Sequence, residues 1–235
     1  MRLLAFDTCD SRGSIALVED HRVLGEVLHP ANEDFSSWLL PAADNLLSEQ
    51  SVSHADLEGY AVASGPGSFT GVRVGLTTAK AWSEVYGKPI FPVSRLTILA
   101  DRAPHSARYI ATFINAQRKQ VFAGVHERRS DGLSLRGEEA VIDPSEFFRS
   151  AVQTAGTSGI VWVSLDPDIL TSNPMWNDEL RATASIVVVK PPLASLIGLY
   201  ALEHLAQQGT DALSLDANYV RRSDAEIFGK KATGT

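Results

Sequence analysis

The chain has 235 residues, 44% hydrophobic and 21% charged, with 21 Lys and Arg against 28 Asp and Glu for a net charge of −7. This composition excludes disordered, collagen-like and coiled-coil chains and fits one large or two small globular domains. The acidic balance argues against tight nucleic-acid binding by the chain alone, the single cysteine (Cys9) permits no internal disulfide, and the longest charge-free stretch, 150–165, is too short to cross a bilayer, so a cytoplasmic protein with no membrane contact is expected.

Three strand candidates open the chain: an apolar run over 2–7 ending in Asp7-Thr8, then 14–19, then the alternating 22–28. Polar turns separate them, which predicts an antiparallel meander. Phe35, Trp38, Leu39, Ala42, Ala43, Leu46 and Leu47 recur at helical spacing, predicting a helix over 35–50 with Glu33 and Asp34 at its positive end and a kink at Pro41. Residues 59–64 form a small apolar strand. Gly65-Pro66-Gly67-Ser68-Phe69-Thr70-Gly71-Val72-Arg73 then opens a helix over 70–86, stopped by Gly87-Lys88-Pro89, and 90–93 is a fifth strand. The order is βββαβαβ.

The pattern restarts in the second half. Residues 108–115 end in Ile114-Asn115 as the first strand ends in Phe6-Asp7; 120–126 and 134–142 are further strands, 144–152 opens a helix, 159–165 and 185–189 are buried strands, and 193–207 is a last helix. Residues 166–177 are loop-rich. Matching Asn115 to Asp7 sets the halves about 108 residues apart. These features predict a duplicated α/β unit with mixed sheets, divided at 1–103 and 104–235, the last helix and tail packing back on the first half.

Asp7 and Thr8 at a strand end, with Gly65, Gly67 and Ser68 at a strand–helix junction, make a candidate anion or nucleotide loop. There is no Gly-Lys-Ser/Thr, and the glycine at 71 falls one place late for a dinucleotide fingerprint, so a plain tight turn is the equal alternative. The second half carries Asn115 where an acid would help hold a metal-bound nucleotide, which counts against phosphoryl transfer.

The helix over 70–86 bears charge only at Arg73, Lys80 and Glu84, which with Thr77 form one stripe. A helix apolar over most of its circumference needs cover on more than one side, from a neighbouring helix or, the preferred reading, from another chain. Gly71, Gly75 and Ala79 suit close helix–helix approach. The candidate interface comprises Phe35, Trp38, Leu39, Val72, Arg73, Leu76, Thr77, Lys80, Ala81 and Glu84. No two histidines stand three or four apart and no Gly-x-Ser-x-Gly is present, so no metal site or catalytic residue is expected. The basic residues Arg221, Arg222, Lys230 and Lys231 read as a solvated end.

Residues 1–8 and the block from Gly65 to Gly75 resemble the TsaB (YeaZ, glycoprotease-like) family, with Ile114-Asn115-Ala116 and Tyr219-Val220-Arg221 as further matches. The resemblance implies a duplicated actin-like, Hsp70-like ATPase fold of ribonuclease-H type. It implies a cytosolic, non-catalytic partner of TsaD, joined by TsaE, in making the threonylcarbamoyl modification of adenosine beside the anticodon. TsaD carries a metal-binding His-x-x-x-His that has no counterpart here. It also implies pairing with TsaD, or with a second copy, through the helices at 35–50 and 70–86; tRNA is then met only through the complex, and no cofactor is needed beyond a vestigial nucleotide contact. Phe35, Asn115 and Gln117 depart from the family pattern, where His, Asp and Arg are usual. A small-molecule kinase or ATPase of the same fold is the alternative. A peptidase role has no support in these residues.

Overall fold

The predicted meander forms from β1 (Arg2–Asp7), β2 (Ser14–Glu19) and β3 (Arg22–Leu28) in the computed structural model, which describes residues 1–156, 159–176, 184–206, 208–212 and 214. β4 (Gly59–Gly65) joins β1 in parallel and β5 (Ile90–Ser94) joins β4 in parallel, for a strand order β3-β2-β1-β4-β5. Parallel strands need helical crossovers. These are α1 (Phe35–Glu49), which runs through Pro41 without a break, and α2 (Phe69–Tyr86). Ser68 caps α2 by accepting from Gly71 N at 3.3 Å, and Gly87, at φ 64°, ends it in the left-handed conformation that glycine tolerates. Asp34 is the α1 N-cap but makes no side-chain cap bond, so its contribution is limited to the helix dipole.

Alternation along β1 and β2 divides the sheet's faces. Phe6 meets Trp82 of α2 edge-on at 5.6 Å, on the face that α1 and α2 cover. Ala5 and Val18 point the other way, beneath a later helix, α6 (Ala194–Tyr200). A Cβ on Gly198 would lie 2.9 Å from that of Ala5, so small residues on both sides set this close approach. The backbone of Ala194 donates to Ser14 Oγ and that of Ser195 to Glu26 Oε1. The expected last helix is present as α6 and continues over Ala201–Leu205 with π-helical bonding. Arg95–Asp101 forms a helix, α3, that the apolar pattern did not reveal.

The chain divides into two compact units, one of 1–98 with the described residues from 189 on, the other of 99–188. The second repeats the first strand for strand. β6 (Tyr109–Asn115) pairs antiparallel with β7 (Val121–Arg129) and parallel with β10 (Ile160–Ser164), which pairs parallel with β11 (Ser185–Val188). The expected single strand over 134–142 is instead two, β8 (Gly132–Leu135) and β9 (Ala140–Ile142), both on β7. Gly137, at φ 86°, breaks the edge between them. The order β8-β7-β6-β10-β11 matches β3-β2-β1-β4-β5. α4 (Pro144–Ala155) is capped by Asp143, and its Phe147 and Phe148 pack on Trp162 and Trp176 in the core of this unit; α5 (Asp168–Thr171) is a single turn within the expected loop. The sequence matches at Tyr219, Val220 and Arg221 and the basic tail lie outside the described residues. Among the described residues no helix is long and apolar enough to cross a membrane.

His126 on β7 is buried; its Nδ1 lies 3.4 Å from Thr112 Oγ1 and its Nε2 meets no partner. Burial lowers its pKa to about 4 from 6.5. Below pH 6.5 the unfolded chain takes up a proton that the folded chain refuses, so this stability is complete above pH 6.5 and declines as pH falls towards 4. The expected loss is at most about 3 kcal/mol. Urea unfolding of the parent should show it between pH 7 and 4, and His126→Gln should flatten that window; a parent curve flat over it would refute the assignment.

Candidate functional site

β1 ends in a turn that the first unit closes from several sides. Asp7 Oδ1 accepts from Cys9 N at 2.8 Å, which shapes the turn. Arg95, at the start of α3, reaches it with 1% of its side chain exposed. Its Nε lies 2.9 Å from Asp7 Oδ2, an ion-pair contact whose N–H is not aligned for a hydrogen bond. Its Nη2 donates to Asp10 Oδ2 at 2.6 Å and its Nη1 to the Pro66 carbonyl at 3.3 Å. Arg12 Nη2 donates to the same Asp10 oxygen at 2.8 Å. Burial alone would raise the Asp10 carboxyl; Arg95 and Arg12 outweigh it and hold the group well below the usual carboxylate range. Burial would likewise lower Arg95, but Asp7 and Asp10 carry it upward, so it stays charged. Burial and the adjacent Asp7 push the Cys9 thiol well up, which removes the thiolate needed for nucleophilic chemistry.

The glycine segment lies directly on this turn. Ser68 N donates to the Cys9 carbonyl at 2.6 Å, and Thr8 Oγ1 donates to the Gly71 carbonyl at 2.7 Å. A Cβ on Gly67 would overlap the Cys9 carbonyl, one on Gly71 the Thr8 carbonyl, and one on Gly75 would lie 2.6 Å from Thr8 Oγ1. Asp7, Thr8, Gly67 and Ser68 are therefore brought together, with Gly65 at the end of β4, and much of the hydrogen-bonding capacity there is spent within the turn and on Arg95. The glycines bring helix to turn within this chain. The expectation that Gly71 and Gly75 admit a foreign helix is corrected: both face Thr8.

The second unit builds the same turn around Asn115. Asn115 Oδ1 accepts from Gln117 N at 2.7 Å, the counterpart of the Asp7–Cys9 bond, and Asn115 N donates to Asp166 Oδ2 at 3.0 Å. An amide oxygen caps the turn as well as a carboxylate does. The acid absent at 115 stands beside it at 166, after β10.

On the outer surface of the first unit, α1 and α2 flank an open groove with a volume of about 440 Å³, lined by Phe35, Leu39, Leu40, Phe69, Arg73, Val74 and Thr77. Leu40 is 49% exposed and lies on this groove with the apolar side chains of Phe35, Phe69 and Val74. Phe35 stacks on His29 at 3.9 Å, and Arg73 lies 3.9 Å over the Phe69 ring. Four of the ten interface candidates belong to the core instead: Trp38, Leu39, Val72 and Leu76 are buried by the sheet under α1 and α2. Arg73, Thr77, Ala81 and Glu84 are exposed, and Phe35 and Lys80 half-buried. The apolar excess of α2 is thus mostly covered by its own unit, and what remains open is a seam rather than a face.

Sequence reasoning missed Arg95, Asp10 and Asp166. The signal for Arg95 was its setting: a lone cation followed by Leu96, Ile98, Leu99 and Ala100, all fully buried, must itself be buried and so needs an acid.

Two copies of one five-strand order, each with a side-chain-capped turn after its first strand, define the duplicated actin-like class of α/β proteins. The family model described as "TsaD: tRNA N6-adenosine threonylcarbamoyltransferase" matches residues 23–158. The TsaB protein of Haemophilus influenzae is 32% identical over 248 aligned positions, covering 100% of this chain and 98% of that protein. That of Bacillus subtilis is 35% identical over 130 residues, 55% of this chain and 57% of that protein. A Pseudomonas aeruginosa structure described as similar to peptidase YeaZ superposes with a TM-score of 0.74 at 27% identity, covering 94% of this chain and 99% of that one. The chain belongs to the TsaB (YeaZ) family.

Two substitutions test the turn. Gly→Ala inside a helix ordinarily stabilises by about 1 kcal/mol. Gly71→Ala should instead destabilise by roughly 2 kcal/mol or more in urea unfolding, because backbone must move; a stabilised variant would show the packing wrong. Arg95→Met leaves buried carboxylate uncompensated and should cost about 3–5 kcal/mol. Asp7→Asn keeps the capping oxygen and leaves Arg95 with Asp10, so it should cost distinctly less; the reverse order would mean that the ion pair does not govern the turn.

Proposed function

We propose that this chain is the non-catalytic partner subunit of the bacterial complex that makes the threonylcarbamoyl modification of adenosine beside the anticodon of tRNA. In this reading it supports TsaD, with TsaE joining them, pairs with itself when alone, meets tRNA through the complex, works in the cytoplasm and needs no cofactor. The observation that carries it is a contrast within 1–98. The strand-end turn, where phosphoryl chemistry would need an available carboxylate, is occupied by Arg95 at 2.9 Å from Asp7. The α1–α2 groove is open and partly apolar, with Leu40 standing in solvent. A filled turn beside an open groove suits a subunit that docks rather than one that turns over substrate. The names of the Haemophilus influenzae and Bacillus subtilis relatives, tRNA threonylcarbamoyladenosine biosynthesis protein TsaB, supply the pathway.

Arginine substitutions at the seam test the docking. Thr77 and Ala81 are exposed, so Thr77→Arg or Ala81→Arg should leave melting unchanged. Each should weaken self-association and TsaD binding, by about 2 kcal/mol if the position is central to an interface of ~1,600 Å². A variant as dimeric as the parent in sedimentation, with TsaD binding intact, would place the interface elsewhere. ATP turnover by the purified chain alone would favour the small-molecule kinase or ATPase instead.

A further inference from the structure

One carboxylate in the second unit gathers three arginines. Glu127, on β7, has 1% of its side chain exposed. Arg108 donates to its Oε1 from both Nε and Nη2, each at 3.1 Å. Arg129 Nη2 donates to Oε2 at 2.7 Å, and Arg136 Nη1 lies 3.5 Å from the same oxygen. The three cations are themselves open to solvent, at 69%, 52% and 48%. A fourth, Arg128, is turned inward onto the carbonyls of Ala100, Asp101 and Ala103.

Stability does not account for this arrangement. The buried Glu127 carboxylate needs a partner, but the two-bond Arg108 contact already supplies one, and the half-exposed Arg129 and Arg136 add little to stability. Three guanidiniums held around one carboxylate repel each other, and Asp131, the other acid acting on Arg129, does not restore the balance. The surplus also runs against the chain: residues 102–139 hold seven Lys and Arg against four acids, whereas the whole protein is at −7. Glu127 acts as a clamp. It fixes each guanidinium by one or two N–H groups or an ion-pair contact and leaves the other donors of each fork towards solvent, the geometry that suits phosphate oxygens.

We propose that Arg108, Arg129 and Arg136, clamped on Glu127, form a contact surface for the phosphate backbone of an RNA. The inference rests on the proposed role in tRNA modification, which makes an RNA the polyanion at hand, and it assigns the second unit a share in holding that RNA. Two or three phosphates give weak binding without sequence readout, in keeping with an acidic chain that meets tRNA mainly inside a complex.

The test uses the full chain and a tRNA transcript, with affinity followed by fluorescence anisotropy from about 50 mM salt upward. Removing all three arginines would strand Glu127, so the variant is Arg129→Gln with Arg136→Gln, which keeps the two-bond Arg108 contact. It should melt as the parent does, bind roughly 3–10-fold more weakly at ~50 mM salt, and show a log–log salt slope shallower by about 1 to 2. A control pair, Arg22→Gln with Arg102→Gln, should change neither. The proposal is overturned if the parent shows no measurable binding at ~50 mM salt, if the variant keeps affinity and slope, or if the control pair loses as much. It is also overturned if the variant binds tRNA normally but no longer associates with TsaD, since the arginines then meet a protein. Failure of the functional reading is seen separately, in a parent chain that neither binds TsaD nor supports modification.

Discussion

A guanidinium buried between two carboxylates governs the first unit. Arg95 is 1% exposed, as is Asp7, and neither charge is tolerable in an apolar interior without the other. The need to keep them together fixes where α3 begins, where the turn after β1 lies, and, through the Pro66 carbonyl, where the chain leaves β4. With those three points set, the start of α2 has one place to go, against the backbone of Thr8 and Cys9, and only glycine at 67 and 71 lets it arrive. The same packing that brings Gly71 and Gly75 to Thr8 turns Val72 and Leu76 into the core and leaves Arg73, Val74 and Thr77 on the α1–α2 groove.

The second unit shows what the cap itself requires. Asn115 makes the same backbone cap as Asp7, so the cap needs an oxygen and not a charge. The carboxylate at 7 answers to Arg95, and Asn115, with an acid already beside it at 166, would gain nothing from a second one. Duplication thus preserved backbone geometry and let the electrostatics of the two halves separate. That is why strand order repeats closely while side chains at matched positions do not.

Much of this was legible. Period-two and helical spacing placed the five strands and the two crossover helices of 1–94 to within a residue or two, because their apolar patterns are clear and they end on glycine or a polar turn. The errors share a cause. Residues 134–142 read as one strand because Gly137 looks no different in sequence whether it bends an edge or not; the positive φ that splits β8 from β9 is a tertiary outcome. Gly71 and Gly75 read as room for another helix because the sequence does not say which side the strand-end turn will occupy; both serve Thr8, more than sixty residues earlier. The apolar run after Arg95 signals that it is buried, but not with what, because its acids stand eighty-eight and eighty-five positions away.

Charge stoichiometry separates the two arginine settings more sharply than burial does. Around Arg95 two carboxylates and a carbonyl meet one guanidinium, supported by Arg12, and the group is closed: the polar atoms face inward and an incoming ion would have to displace a partner already held. Around Glu127 the ratio is inverted, with three guanidiniums on one acid and unspent donors facing water. Only the first arrangement is complete by itself. The second still carries surplus positive charge after Glu127 has engaged both its oxygens and Asp131 has acted on Arg129, and further negative charge arriving at its exposed guanidiniums lowers their mutual repulsion.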